Sequence, residues 1–110
     1  EMMKTPTSPK ELFSILSHRH SILLEGRPHM NPGIFKTKNN RAGMTEFVDY
    51  QLVKGTLSQG FKYYAALTDP FARAIFMMFM ISEVHPFNDG NGRVARVMMN
   101  AEFVRADTTP

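Results

Sequence analysis

The chain has 110 residues, 43% hydrophobic and 21% charged, with a formal net charge of +3 and no cysteine. That balance fits one globular domain with a modest core, and it excludes a disulfide framework and a thiolate nucleophile. The opening residues do not read as a signal peptide, and the longest strongly apolar run, Phe76 to Ile81, is too short to cross a bilayer. A cytoplasmic protein away from membranes is expected.

Residues 1–8 read as an N-terminal tail and 9–110 as the folded core, whose C-terminal end reads as incomplete. Ser8 or Thr7 before Pro9 marks a helix start, and Leu12, Ile15, Leu16, Ile22 and Leu23 predict an amphipathic helix over about 9–25, ended by Gly26. RPHMNPG is a turn region, IFK a short extended piece, and KNNRAG a loop. Arg27, Lys36, Lys38 and Arg41 follow one another with no acid between them. They form either a solvated basic loop or a surface for phosphates or an acidic partner. Nucleic acid fits less well, because no interleaved aromatics offer a stacking platform.

MTEFVDY alternates enough for a short strand or hairpin arm. In the next stretch Leu52, Val53, Leu57 and Phe61 share a helical face, but Gly55 and Gly60 interrupt it, so one or two short helices are expected. Asp69 and Pro70 open a clearer helix, apolar from Phe71 to Ile81 apart from Arg73, which predicts a central helix of a bundle. Pro86 ends it near Val84 or His85. The next helix, from about Gly92 to Val104, places Val94, Val97, Met98, Ala101 and Val104 inward and Arg93, Arg96 and Asn100 on another face. The methionines fall at core spacing.

The two helices are joined by HPFNDGNGR, His85 to Arg93. Gly90, Asn91 and Gly92 at a helix start make an anion cradle from unpaired backbone N–H groups, and Arg93 and Arg96 add charge-assisted bonds to phosphate oxygens. Asp89 beside an anion site either caps the helix or holds Mg²⁺ that bridges carboxylate and phosphate. His85 is either a helix cap or a general base. Phe87 reads as a plug that pins the loop to the core. Together these parts imply phosphoryl or nucleotidyl transfer to a hydroxyl.

Continued through Arg96, HPFNDGNGRVAR closely resembles the signature of the Fic (filamentation induced by cAMP) family, in its adenylyl-transferring branch. The branch related to the Doc toxin departs from the glycine-asparagine-glycine segment kept here. The apolar helix before the motif and VARVMMNAEF after it look like the family's two central helices. PGIFK, Pro32 to Lys36, resembles the segment after its first core helix. The resemblance runs from about Glu11 to Val104, and it implies an all-α Fic-like domain with a short β-hairpin flap.

It further implies that His85 activates a Ser, Thr or Tyr hydroxyl on a target protein, and that Asp89 holds Mg²⁺ on the phosphates of ATP. Backbone groups at Asn91 and Gly92, with the Asn91 side chain, would hold phosphate. Arg93 and Arg96 would contact further phosphate oxygens. AMP would pass to the hydroxyl and pyrophosphate would leave. Thr45, Glu46, Phe47 and Val48 look like the flap that aligns a target segment by main-chain pairing, with an ordinary edge hairpin as the plainer alternative. SILLEG, Ser21 to Gly26, matches the family's short inhibitory pattern, which would make Glu25 inhibitory. The helix that carries it aligns better with the first core helix, leaving room for a regulatory helix upstream or on a partner chain. Members that remove AMP carry the same motif, and a catalytically silent anion-binding or interaction module is a further alternative.

Overall fold

The computed structural model describes residues 4–108. In chain order it contains α1 (Pro9–Leu23), a 3-10 turn (Pro28–Met30), β1 (Arg41–Ala42), β2 (Thr45–Glu46), a second 3-10 turn (Tyr50–Leu52), α2 (Val53–Ala66), α3 (Pro70–Val84) and α4 (Asn91–Thr108). β1 and β2 pair antiparallel, Arg41 opposite Glu46 and Ala42 opposite Thr45. α3 lies between α2 and α4, and α1 packs on α2 and α4. The architecture is the expected helical domain with a two-stranded flap.

α1 begins as its sequence dictates. Ser8 Oγ accepts from the Glu11 N–H at 3.1 Å, while the Glu11 carboxylate accepts from the Thr7 N–H at 2.9 Å. It stops at Leu23, ahead of the predicted end. Leu24 turns its N–H to the His20 carbonyl and buries its side chain completely. Of the expected tail, residues 1–3 lie outside the described residues. Thr5 is buried, and the Lys4 carbonyl accepts from Arg19 Nη2 at 2.6 Å, so this stretch packs on the domain.

Of the one or two helices expected here, residues 53–66 form one, continuous through both glycines. Val53, Leu57, Phe61 and Tyr64 bury along one face, which outweighs the glycine propensity cost. At Gly60 α2 and α3 approach closely: a Cβ there would lie 2.5 Å from Met80 Sδ, and that side chain would have to move. Leu52, expected on the buried face, is 59% exposed in the preceding turn.

Asp69 caps α3 by accepting from the Ala72 N–H at 2.8 Å. Ala74, Met77, Met80, Ile81 and Val84 are buried, whereas Phe71, Ile75 and Phe79 are exposed, so this central helix is covered on only part of its apolar surface. On α4, Val94, Met98 and Ala101 face inward as expected and Val97 is half-buried. Val104 is 40% exposed, and Ala95 and Glu102 are buried instead. The Glu102 carboxylate accepts from the Tyr64 hydroxyl and from Arg73 Nε at 3.3 Å, and Arg73 Nη2 donates to the Tyr64 hydroxyl at 2.6 Å. This buried network ties α2, α3 and α4 together. Burial, and then the Glu102 carboxylate, push the Tyr64 phenol above its usual range.

IFK forms no strand. Its backbone runs beside the loop after α3, with the Lys36 N–H donating to the Pro86 carbonyl at 2.8 Å. The basic stretch is not uniformly solvated either, since Lys36 is 3% exposed.

Candidate active site

Pro86 disfavours a further helical residue before it, and the chain leaves α3 through His85 in the left-handed region, φ 49° and ψ 63°. The His85 N–H still caps Ile81 at 2.9 Å. Its Nδ1 lies 2.7 Å from the Ser82 carbonyl, which can only accept. The proton is therefore assigned to Nδ1, and in the neutral ring Nε2 is left as a base. The Phe47 ring stacks on the imidazole with centroids 3.6 Å apart and planes 2° from parallel. His85 thus both caps the helix and presents a basic nitrogen.

Phe87 is fully buried and packs on Phe35, centroids 5.2 Å apart, as the expected plug. Its backbone is held as firmly as its ring. Asn91 accepts from the Phe87 N–H and donates to the Phe87 carbonyl, both at 2.9 Å. Asn40 Nδ2 donates to the same carbonyl at 3.0 Å and approaches that of His85 at 3.3 Å. Asn40 is held in turn by Lys36 Nζ at 2.7 Å, which also reaches the Val84 carbonyl at 3.3 Å. The Asn91 side chain, expected to help hold a phosphate, is 4% exposed and engaged through both ends of its amide. Its backbone N–H remains part of the helix start.

A cavity of about 380 Å³ opens above this loop, lined by Asn40, Arg41, Ala42, Phe47, His85, Asn88, Asp89, Gly90, Asn91, Gly92, Arg93 and Arg96. The polar motif residues His85, Asp89, Asn91, Arg93 and Arg96 and both glycines are brought to it. The first turn of α4 supplies backbone N–H groups without intrahelical acceptors. Gly92 has no side chain to obstruct Arg96: a Cβ would stand 3.3 Å from Arg96 Nη1. Gly90 has φ +78°, and a Cβ there would lie 2.7 Å from Leu24 Cδ2. Both arginines are exposed on the cavity side of α4.

Asp89 does not stand alone. Its carboxylate pairs with Arg27 at 2.8 Å, both side chains nearly half exposed. Its backbone carbonyl meets His20 Nε2 at 2.7 Å. Among the described residues no group of three or more His, Asp and Glu side chains is placed to hold a metal. A cation at Asp89 would draw its other ligands from water and phosphate, which suits Mg²⁺ and its preference for few protein carboxylates.

Of the flap residues only Thr45 and Glu46 lie in a strand, and Arg41 and Ala42, expected in a loop, form its partner. Phe47 prolongs the hairpin by donating its N–H to the Asn40 carbonyl at 3.1 Å, and Val48 packs on the core. Glu25 is exposed in the turn after α1, outside the cavity lining. His20, Arg27, Lys36 and Asn40 were not foreseen at the site. In the sequence Arg27 and Lys36 stand in a basic stretch, Lys36 also at the end of PGIFK, and no local pattern marks His20 or Asn40.

Residues 12–102 match the Fic/DOC family, and the chain belongs to it. A Fido domain-containing protein of Dictyostelium discoideum is 30% identical over 76 residues, which cover 64% of this chain and 53% of that protein. The protein adenylyltransferase fic-1 of Caenorhabditis elegans is 43% identical over 42 residues, 38% of this chain and 8% of the relative. The protein adenylyltransferase Fic of Nematostella vectensis is 44% identical over 41 residues, 37% of this chain and 10% of the relative. The chain thus spans about half the length of the first of these relatives and a small part of the others. Among the described residues no helix is long and apolar enough to cross a membrane.

Proposed function

We propose that the domain transfers AMP from ATP to a Ser, Thr or Tyr hydroxyl of a target protein, with Mg²⁺, and releases pyrophosphate. The observation that carries this reading is a single cavity lined by His85, Asp89, the glycine-flanked start of α4, two arginines and Phe47 of the hairpin segment. The adenylyltransferase names of the worm and sea anemone relatives favour AMP as the transferred group.

In this mechanism the phosphates of ATP sit on the N–H groups of Asn91 and Gly92, with Arg93 and Arg96 on their outer oxygens. Asp89 would hold Mg²⁺, which when bound offsets phosphate charge and polarises the phosphorus–oxygen bonds. The target segment pairs with the exposed hairpin, which brings its hydroxyl over His85. His85 Nε2 takes the hydroxyl proton as the oxygen attacks the α-phosphorus. The bond from that phosphorus to the bridging oxygen breaks, and pyrophosphate leaves with its charge held by the cradle.

The test is incorporation of α-labelled ATP into protein with Mg²⁺, by the wild type and by His85→Ala. Label transferred by the wild type and lost in the variant is expected. Equal labelling by both would overturn the role given to His85, and labelling only from a different nucleotide would overturn the choice of ATP.

A further inference from the structure

His20 lies far from the loop in sequence and takes no part in the reaction as proposed, yet it is fully buried directly beneath the loop. Its Nδ1 is 2.9 Å from the Gly33 N–H, a group that can only donate, so Nδ1 accepts. Nε2 then carries the proton and donates to the Asp89 carbonyl at 2.7 Å. The imidazole also lies flat on Phe87, centroids 3.7 Å apart and planes 5° from parallel. One ring therefore reaches three points: the turn after α1, the plug of the loop, and the backbone of Asp89. Gly90 packs against the same ring, since a Cβ there would stand in ordinary contact with His20 Nε2 at 3.4 Å.

We infer that His20 is a positioning residue, whose Nε2–H sets the backbone of Asp89 and so aims its carboxylate into the phosphate cavity. Asn40 and Asn91 fix the loop at Phe87, but Asp89 is two residues further on, where neither of them reaches in the bonds they make. The Gly33 contact gives the ring its tautomer, and that tautomer makes Nε2 a donor. The role acts through Asp89 and involves no contact with the reacting atoms. It rests on the reading of Asp89 given above, and its consequence is specific: the nitrogen facing Asp89 matters for transfer, whereas the nitrogen facing Gly33 matters only indirectly.

Two substitutions separate these nitrogens. His20→Gln places an amide nitrogen near the position of Nε2, and His20→Asn places an amide oxygen near that of Nδ1. Circular dichroism and thermal melts report whether each folds. His20→Gln is expected to keep kcat within about threefold of wild type, and His20→Asn to lower it by about 100-fold with KM for ATP within about threefold, as misplacement of one group predicts. Amide exchange at Asn88 to Gly90 should quicken in His20→Asn and stay near wild type in His20→Gln. Equal kcat in both folded variants, or unchanged exchange in His20→Asn, would overturn the inference.

Nitrogen-15 spectra of the wild-type imidazole need no variant and stand even if both substitutions prevent folding. They should report the Nε2–H tautomer for His20, and the Nδ1–H tautomer would overturn the inference. If the wild type transfers no AMP, the proposed reaction fails, while exchange and imidazole spectra still judge the role of His20 in holding the loop.

Discussion

The rings of Phe47 and His85 lie in face-to-face contact, 3.6 Å between centroids, and this joins the hairpin that would receive a target to the residue that would take its proton. The contact limits imidazole rotation about the Ser82 bond. Well-arranged aromatic pairs contribute about 0.5–1.5 kcal/mol beyond buried area, which sets the upper bound for this contact. Phe47→Ala should therefore lower kcat/KM for protein labelling by about tenfold. It should cost little thermal stability, because the side chain is only half-buried. A steady-state comparison with a thermal melt checks both, and unchanged labelling would show that the stack does no catalytic positioning.

Asp89→Asn should leave the fold nearly unchanged. The carboxylate meets Arg27 in an exposed pair, worth less than about 1 kcal/mol, while the His20 bond uses the backbone and survives. ATP should still bind weakly through the α4 start and both arginines, whereas transfer should drop by about 100-fold or more together with its Mg²⁺ dependence. Near-normal transfer at limiting Mg²⁺ would show that Asp89 holds no metal.

Arg27→Ala should have the opposite effect on cation binding. Arg27 already pairs with Asp89 Oδ2, so its charge opposes a cation there. Without the guanidinium, Mn²⁺ used as a paramagnetic substitute should bind up to about fivefold more tightly in the absence of nucleotide, the range set by an exposed ion pair. Weaker Mn²⁺ binding in the variant would mean that the arginine aids the cation.

The Tyr64–Arg73–Glu102 network predicts unequal costs for its members. Glu102→Ala leaves the Arg73 charge in a mostly buried position without this carboxylate, at a cost of about 3–5 kcal/mol. Tyr64→Phe removes one hydroxyl and leaves the Arg73–Glu102 pair, at a cost of about 1–2 kcal/mol. Urea unfolding of the two variants checks the order, and a reversed ranking would show that the phenol, not the ion pair, organises this end of the bundle.

Local patterns carried much of the fold. Asp69–Pro70 and Ser8–Pro9 opened their helices where expected, because capping depends on residues within one turn. Pro86 stopped α3 because its ring acts on the residue before it. Gly55 and Gly60 left one helix or two open for the converse reason: helix propensity is local, but the close approach of Gly60 to Met80 lies across a helix interface. KNNRAG looked like loop because two-residue strands have no alternation to detect, and β1 exists through its pairing with β2.

The candidate site divides in the same way. By itself the sequence determined that His85, Asp89, Gly90, Gly92, Arg93 and Arg96 lie in one place, because a helix end, a short loop and a helix start hold them within twelve residues. It also determined that Phe87 would be buried, as an aromatic ring in a polar loop must find an apolar pocket. Only the tertiary structure decided what surrounds them. The use of Asn91 on Phe87, the pairing of Arg27 with Asp89, the Phe47 stack on His85 and the donation from His20 to the Asp89 backbone all depend on how the parts of the chain pack against the loop. Hydrogen bonds and ring stacking act only over a few ångströms, and whether two residues come that close across dozens of positions is set by packing, which leaves no periodic trace along the chain.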